Sequence, residues 1–235
     1  ASKFAALPWR TSRQSVVDAC KASLDRMSLD KMELYQQHWP GVAFNQQYWE
    51  GLADCVEQGL VTAVGVSNYG PRALRKVHVA LGNRGIKLAS NQIQYSLLQR
   101  GPESNGALRV CNELGIKVLA YSPLAQGLLT GKYSVESPPQ GPRGRSLRKL
   151  LPTLAPLLAE LKSVAAARGK TPAQVALNWC ICKGTIPIPG AKSVRQAKDN
   201  AGAIGWRLEK DEVVALDMAA RAAGSQMPGM PLVNS

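Results

Sequence analysis

The sequence predicts an α/β fold of parallel βα units, nearest in architecture to an eight-unit barrel. Three observations carry this expectation. Short apolar segments alternate with longer segments of helical period, the pattern left by parallel strands and their crossover helices. Polar residues recur at the carboxyl ends of the short segments, where ligands gather in such folds. The 235 residues, 45% of them hydrophobic, suffice for one large core and approach the length of about 250 that such a barrel takes.

In chain order, the first strand is expected over Ser2 to Ala5. Thr11-x-x-Gln14 has capping-box spacing, and behind it Val16, Cys20, Leu24 and Met27 fall on one helical face. Further strands are expected over Met32 to Gln37, Val61 to Ser67, Leu88 to Gln94, Ile116 to Ser122 and Thr185 to Pro189. Gly59, Gly82 or Gly85, and Gly115 fall where helices end and the chain must turn. The stretch "SPPQGPRGR", residues 137 to 145, is too rich in proline and glycine for helix or strand, and long loops after a strand often cover a ligand. Helices are expected near 152 to 168 and 209 to 221. Thr171-Pro-Ala-Gln174 repeats the capping box with proline at the first helical position, and Val175, Leu177, Trp179 and Ile181 make the helix behind it apolar enough for deep burial. The count is six βα units in one domain over residues 1 to 235, two short of a full barrel.

Composition narrows the function. No uninterrupted apolar run reaches the length of about 18 that a membrane span needs, and the opening residues lack the layout of a signal peptide. Cys20, Cys55, Cys111, Cys180 and Cys182 are odd in number and lack CxxC spacing, so buried free thiols in a reducing compartment are expected, with no metal site. The net charge of +13 is unevenly placed. No acid falls between Glu57 and Glu103, a gap holding Arg72, Arg75, Lys76, Arg84, Lys87 and Arg100; a second acid-free stretch carries Arg143, Arg145, Arg148 and Lys149. Such a surface suits a phosphorylated cofactor, an acidic protein or simply solvent. No aromatic residues interleave with the charges, which argues against nucleic acid.

The strand ends are the informative positions. Lys3 lies in the first strand, His38 follows the second in "LYQQHWP", and Ser67 and Asn68 follow the third. Asn91 and Gln92 fall in the fourth, and Tyr121 and Ser122 close the fifth. Beyond the sixth, Gly190, Lys192 and Ser193 of "PGAKS" open a helix, where free N–H groups, the helix dipole and a mobile cation suit a phosphate.

In this order, "LYQQHWP", "VGVSNY", "NQIQYSLL", "LAYSPLAQGLLTGKY" and "IPIPGAKSVRQAKDNAGAIGWRL" resemble the successive strands and loops of the aldo-keto reductase family. "KFAALPWR" and "PPQGPRGR" are nearest to a plant and algal plastid branch, which implies a chloroplast location. The resemblance implies a (β/α)8 TIM barrel, of which this chain is similar to strands three to eight, the first two units being absent from it. It also implies NADPH-dependent reduction of a small aldehyde or ketone. His38 matches the histidine that orients the substrate carbonyl, and Lys3 the lysine that lowers the proton donor's pKa. Ser67, Asn68 and Gln92 match residues holding the nicotinamide carboxamide, and Tyr121 the ring stacked on the nicotinamide. The segment from Ser122 to Gly131, with Ser122, Pro123, Leu124, Gln126, Gly127 and Gly131 as its binding residues, matches the pyrophosphate loop, and Lys132 is a cofactor-binding position after it. Lys192 and Ser193 match the 2′-phosphate site, with Gln196 and Asn200 near the adenine, and Gly190 is a further cofactor-binding position. Asp199 stands where many relatives have glutamate. The family's aspartate and tyrosine have no match: none of Tyr35, Tyr48, Tyr69, Tyr95, Tyr121 or Tyr133 occupies the donor position, so residues 1 to 235 alone are expected to be inactive. The alternative is a catalytically incomplete subunit in a larger plastid assembly, docking through its basic surface or an open barrel edge.

Overall fold

The computed structural model describes residues 1–141, 144 and 148–224. Six strands, β1 (Ser2–Phe4), β2 (Met32–Gln37), β3 (Val61–Ser67), β4 (Leu88–Gln94), β5 (Lys117–Tyr121) and β6 (Ile186–Ile188), lie in the sheet in the order of the chain. The pairings of β1 with β2, β2 with β3 and β3 with β4 are parallel. All six predicted strands are present, with ends differing by one residue at most. The helices are α1 (Arg13–Met27), α2 (Asn45–Glu57), α3 (Pro71–Gly82), the single turn α4 (Gly101–Ser104), α5 (Ala107–Glu113), α6 (Leu151–Arg168), α7 (Pro172–Cys182), α8 (Val194–Ala201) and α9 (Lys210–Ala222), with a 3₁₀ segment at Ala125–Thr130. Among the described residues no helix is long and apolar enough to cross a membrane. The described residues divide into two compact units, residues 1–93 with 102–119, and residues 94–101 with those described from 120 to 224.

In the first unit, Phe4, Tyr35, Val64, Val66 and Ile93 of the strands are buried with Leu52 of α2 and Leu74 of α3. The expected cap of α1 is displaced by one residue. Ser12, in extended backbone, accepts the Ser15 amide on its hydroxyl at 3.2 Å, while Gln14 turns outward to Asp18 at 2.8 Å. Val16, Cys20 and Leu24 are buried as the spacing predicts, but Met27, the last residue of α1, is 39% exposed. Gly51 lets α1 and α2 meet, since a Cβ there would crowd the Arg13 carbonyl and Val16.

A polar seam crosses three strands. The buried Gln36 amide donates to the Val66 carbonyl at 3.3 Å and to Ser90 Oγ at 3.1 Å. Gly65 makes room for it, because a Cβ there would collide with the Ser90 hydroxyl. At this point β4 gains a residue: Val64 pairs with Leu88 but Gly65 with Ser90. Gly59, Gly85 and Gly115 take positive φ at their turns, as expected, whereas Gly82 is simply the last residue of α3.

The second unit is organised around α7. Thr171 and Gln174 form the predicted capping box, and residues 175–180 are buried, Ile181 only half-buried. Trp179 stacks on Tyr95 at 5.2 Å and donates its indole N–H to Asp217 of α9 at 2.9 Å. Arg168 of α6 pairs with Glu212 of α9 at 2.7 Å.

Folding also rearranges the basic stretches. Arg84 pairs with Glu50, Asp54 and Glu57 of α2, Arg75 with Glu113, and Arg100 with Asp217, so half of the first acid-free run is neutralised by acids distant in sequence. Arg143 and Arg145 lie outside the described residues. Cys20, Cys55, Cys111 and Cys180 are buried free thiols; Cys182 departs from that expectation, being half-buried near Asn178 Oδ1 at 3.4 Å.

Candidate active site

In the first unit, strand pairing fixes the relative heights of the polar strand ends. Lys3 is registered with Gln36, and the His38 amide donates to the Phe4 carbonyl at 2.8 Å, tying the turn after β2 to the end of β1. The His38 ring projects outward, 4.4 Å from the ring of Trp39. Protein mass around the imidazole, and secondarily the Lys3 ammonium, hold its pKa below the ordinary histidine value, so the ring is neutral at neutral pH.

Ser67 Oγ donates to the Gln92 carbonyl at 2.7 Å, and the Asn68 amide group donates to Ser67 Oγ at 3.2 Å and to the His38 carbonyl at 3.3 Å. Asn68 has φ of 61°, a left-handed conformation that asparagine tolerates, and its backbone N–H reaches the Gln92 carbonyl at 2.9 Å. The three residues are therefore one buried, mutually bonded group. The Gln92 side-chain amide makes no hydrogen bond among the described residues, which leaves its donor and acceptor for a ligand. Asn91 instead points into the fold, donating to the Tyr69 carbonyl at 3.0 Å.

Sequence reasoning missed the brace behind His38. Gln37, fully buried, donates to the Trp39 carbonyl and to Asn45 Oδ1, each at 3.1 Å. Asn45 also exchanges two hydrogen bonds with the Gly41 backbone. Tyr69 Oη donates to Gln37 Oε1 at 2.7 Å and accepts the Trp49 indole N–H at 3.1 Å. The signal was the second glutamine of "LYQQH", a polar group in a strand too buried to leave it without partners.

In the second unit, Tyr121 ends β5 half-buried, its phenol pushed up by burial. The loop after it is compact and unusual: Ser122, Ala125, Gln126, Gly127 and Gly131 all have positive φ. Pro123 and Leu124 lie between the first two of these, and the Leu124 carbonyl accepts both the Gly127 amide at 2.9 Å and the Leu129 amide at 3.3 Å. Buried Ala125, Leu128 and Leu129 anchor it from below. Thr130 Oγ1 donates to the Gly127 carbonyl at 2.8 Å, and Lys132 lies over the Tyr133 ring at 5.3 Å. The amides of Ala125, Gly127 and Leu129 are bonded to carbonyls within the loop, which fixes its path.

At α8, Ser193 is the N-cap, accepting the Gln196 amide at 3.3 Å, and Gln196 Oε1 accepts the Lys192 amide at 2.6 Å. Gln196 thus spends its carbonyl on the helix start. Asn200 reaches back to the Gly190 carbonyl at 3.4 Å. The Lys192 ammonium is exposed and has no acid partner among the described residues. The helix buries no residue of its own. It is held through Asp199, whose carboxylate accepts from Thr171 Oγ1 at 3.0 Å and Gln174 Nε2 at 3.1 Å.

In the first unit, strand pairing brings Lys3, Ser67 and Gln92 to the ends of adjacent parallel strands with His38 in the turn after β2, and in the second unit Lys192 precedes the cap of α8, in an α/β chain of parallel βα units. Residues 1–221 match the model of the aldo/keto reductase family, and the chain belongs to that family. It is 50% identical over 231 residues to a chloroplastic pyridoxal reductase of Arabidopsis thaliana, covering 97% of this chain and 63% of that protein. The fold is shared with the crystal structure of a thermostable aldo-keto reductase, Tm1743, solved with the inhibitor epalrestat (TM-score 0.74, 25% identity, 92% of this chain and 69% of that one). It is likewise shared with a Bombyx mori aldo-keto reductase in complex with NADP (TM-score 0.70, 26% identity, 92% and 66%). The chain thus spans less than two thirds of the length of its Arabidopsis relative.

Proposed function

We propose that this chain serves NADPH-dependent reduction of an aldehyde or ketone, as a single functional domain, and that pyridoxal is the first substrate to test. The observation that supports the reading is the exposed imidazole of His38 next to the strand end that carries Lys3, in a chain that matches the family model over residues 1–221. When bound, NADPH supplies the hydride. By the family resemblance, Ser67, Asn68 and Gln92 would hold the carboxamide, Tyr121 would offer its ring, and the Ser122–Lys132 loop would take the pyrophosphate. Gly190, Lys192 and Ser193 take the 2′-phosphate, with Asn200 nearby. His38 orients the carbonyl and donates a hydrogen bond to its oxygen as charge develops there. Lys3 favours the ionised form of whatever proton donor stands beside it. The six tyrosines of this chain are not assigned that role: Tyr35, Tyr48, Tyr69 and Tyr95 are buried in packing positions. A plastid location follows the Arabidopsis relative and is part of the proposal.

The test is cofactor discrimination. Lys192 is exposed, so its contact with a 2′-phosphate takes the low end of the charge-assisted range, about 1.5 kcal/mol or about tenfold in affinity. Fluorescence titration should give NADPH a lower Kd than NADH, with Lys192→Ala erasing that preference. Equal affinities in the unmutated protein would overturn the reading.

A further inference from the structure

Between α2 and α3, within the first unit, lies a pocket of about 370 Å³ lined by Pro40, Asn45, Trp49, Tyr69, Arg72 and Lys76, together with Ala73. It continues into a second, more open hollow of about 500 Å³, where Arg75 joins Trp49 and Lys76 beside Val79 and Ala80. Among the described residues no carboxylate lines either cavity. Glu50, Asp54 and Glu57 of α2 hold Arg84, while Glu113 neutralises Arg75 of the second hollow and leaves Arg72 and Lys76 as the cations of the first. Arg72 and Lys76 have no hydrogen-bond or ion-pair partner among the described residues.

We propose that this pocket binds a phosphoryl anion, as free phosphate or a small phosphomonoester, between Arg72 and Lys76. The two cations are four residues apart on α3 and so lie on one face, with Cβ atoms roughly 5–6 Å apart, a spacing one phosphoryl group bridges. Arg72 offers a planar fork and Lys76 a point charge, the two complementary ways of meeting phosphate oxygens. The floor is already fixed. The Trp49 indole, the Tyr69 hydroxyl and Asn45 are bonded to one another or to Gln37 and Gly41, so little besides the two cationic side chains must be ordered on binding. The start of α3 adds to the field, since Gly70 at its N-cap supplies no capping side chain. This site is separate from Lys192, and its existence does not depend on the proposed reaction.

Calorimetric titration of the cofactor-free chain with inorganic phosphate, and separately with phenyl phosphate, tests it. Saturable binding is expected, with Arg72→Gln and Lys76→Gln each weakening it about tenfold, as for loss of one charge-assisted contact, and Lys87→Gln, at an exposed cation that lines neither cavity, leaving it unchanged. The Trp49 indole N–H resonance should shift on addition of either anion. Tighter phenyl phosphate binding identifies a phosphomonoester as the fitting ligand, and equal binding identifies phosphate itself. Absence of saturable binding, or binding retained undiminished in both α3 variants, overturns the proposal; because Arg72 and Lys76 are exposed, their replacement leaves the fold intact, and a circular dichroism melt checks this.

Discussion

Replacing Asp199 by alanine should loosen α8 while leaving every proposed cofactor contact in place. The helix buries none of its residues, so its position depends on polar contacts to the start of α7. Asp199 supplies two of them, from Thr171 Oγ1 at 3.0 Å and Gln174 Nε2 at 3.1 Å, while a third, from Gln174 to the Asp199 carbonyl, survives the substitution. A buried charge-assisted hydrogen bond is worth about 1.5–3 kcal/mol; half-burial reduces each of these to about 1, for about 2 kcal/mol in total. Confined to α8, that loss raises amide exchange at residues 194–200 roughly 30-fold. If the unit unfolds as a whole, Tm falls by about 4–8 °C. Exchange measured by mass spectrometry, with a parallel thermal melt, separates these outcomes. Asp199→Asn keeps one acceptor oxygen and should lie between the two. Unchanged exchange and unchanged Tm in the alanine variant would refute the assignment of Asp199 as the anchor.

Two further expectations concern the scaffold. Arg84→Ala removes the cation shared by Glu50, Asp54 and Glu57 and should cost about 2 kcal/mol at neutral pH, less than a fully buried pair because Glu57 is half exposed. Burial alone would raise the Asp54 carboxyl, but hydrogen bonds from Arg13 and Arg84 outweigh it and hold the pKa below the ordinary value. Its contribution is therefore present above the ordinary carboxylate pKa and lost as pH falls through the lowered one, so urea titrations should find the variant's deficit narrowing below about pH 4; a pH-independent deficit would contradict this. Gly131→Ala places a Cβ at φ of 74° and 3.0 Å from Pro172 Cγ, which should cost about 1–2 kcal/mol in denaturant titration, and an unchanged midpoint would show the loop to be free to move.

The strands were legible because their signal is local: apolar runs of the right length bounded by glycine turns. The capping box of α7 was equally legible, since Thr171 and Gln174 are three residues apart. What it grips was not, because Asp199 is 28 residues from Thr171 and nothing local in either segment announces the other. The same distance hid the partners of Arg75 and Arg84 and made the basic run look more open than it is. At the site, "HWP" and "PGAKS" marked their residues, but the left-handed backbone at Ser122, Ala125 and Gln126 leaves no trace in residue types that normally avoid it. Ser12 displaced Thr11 as a cap because both hydroxyls suit the role and only the path of the incoming chain decides between them.

The Gln36 seam works as an alignment key for the first unit. A single amide reads β3 through Val66 and β4 through Ser90, from a strand that is itself paired with β1. Sliding any of these strands by one step would strand a buried amide or hydroxyl and drive Ser90 away from the gap that Gly65 leaves for it. Parallel strands otherwise have many near-equivalent offsets when both faces are apolar. The extra residue in β4 makes the key asymmetric, because only one offset brings Ser90 level with Gly65. The heights of His38, Ser67 and Gln92 at the strand ends are thus set two residues back along their own strands, and a Gln36→Leu chain would remain compact while presenting those three groups out of step.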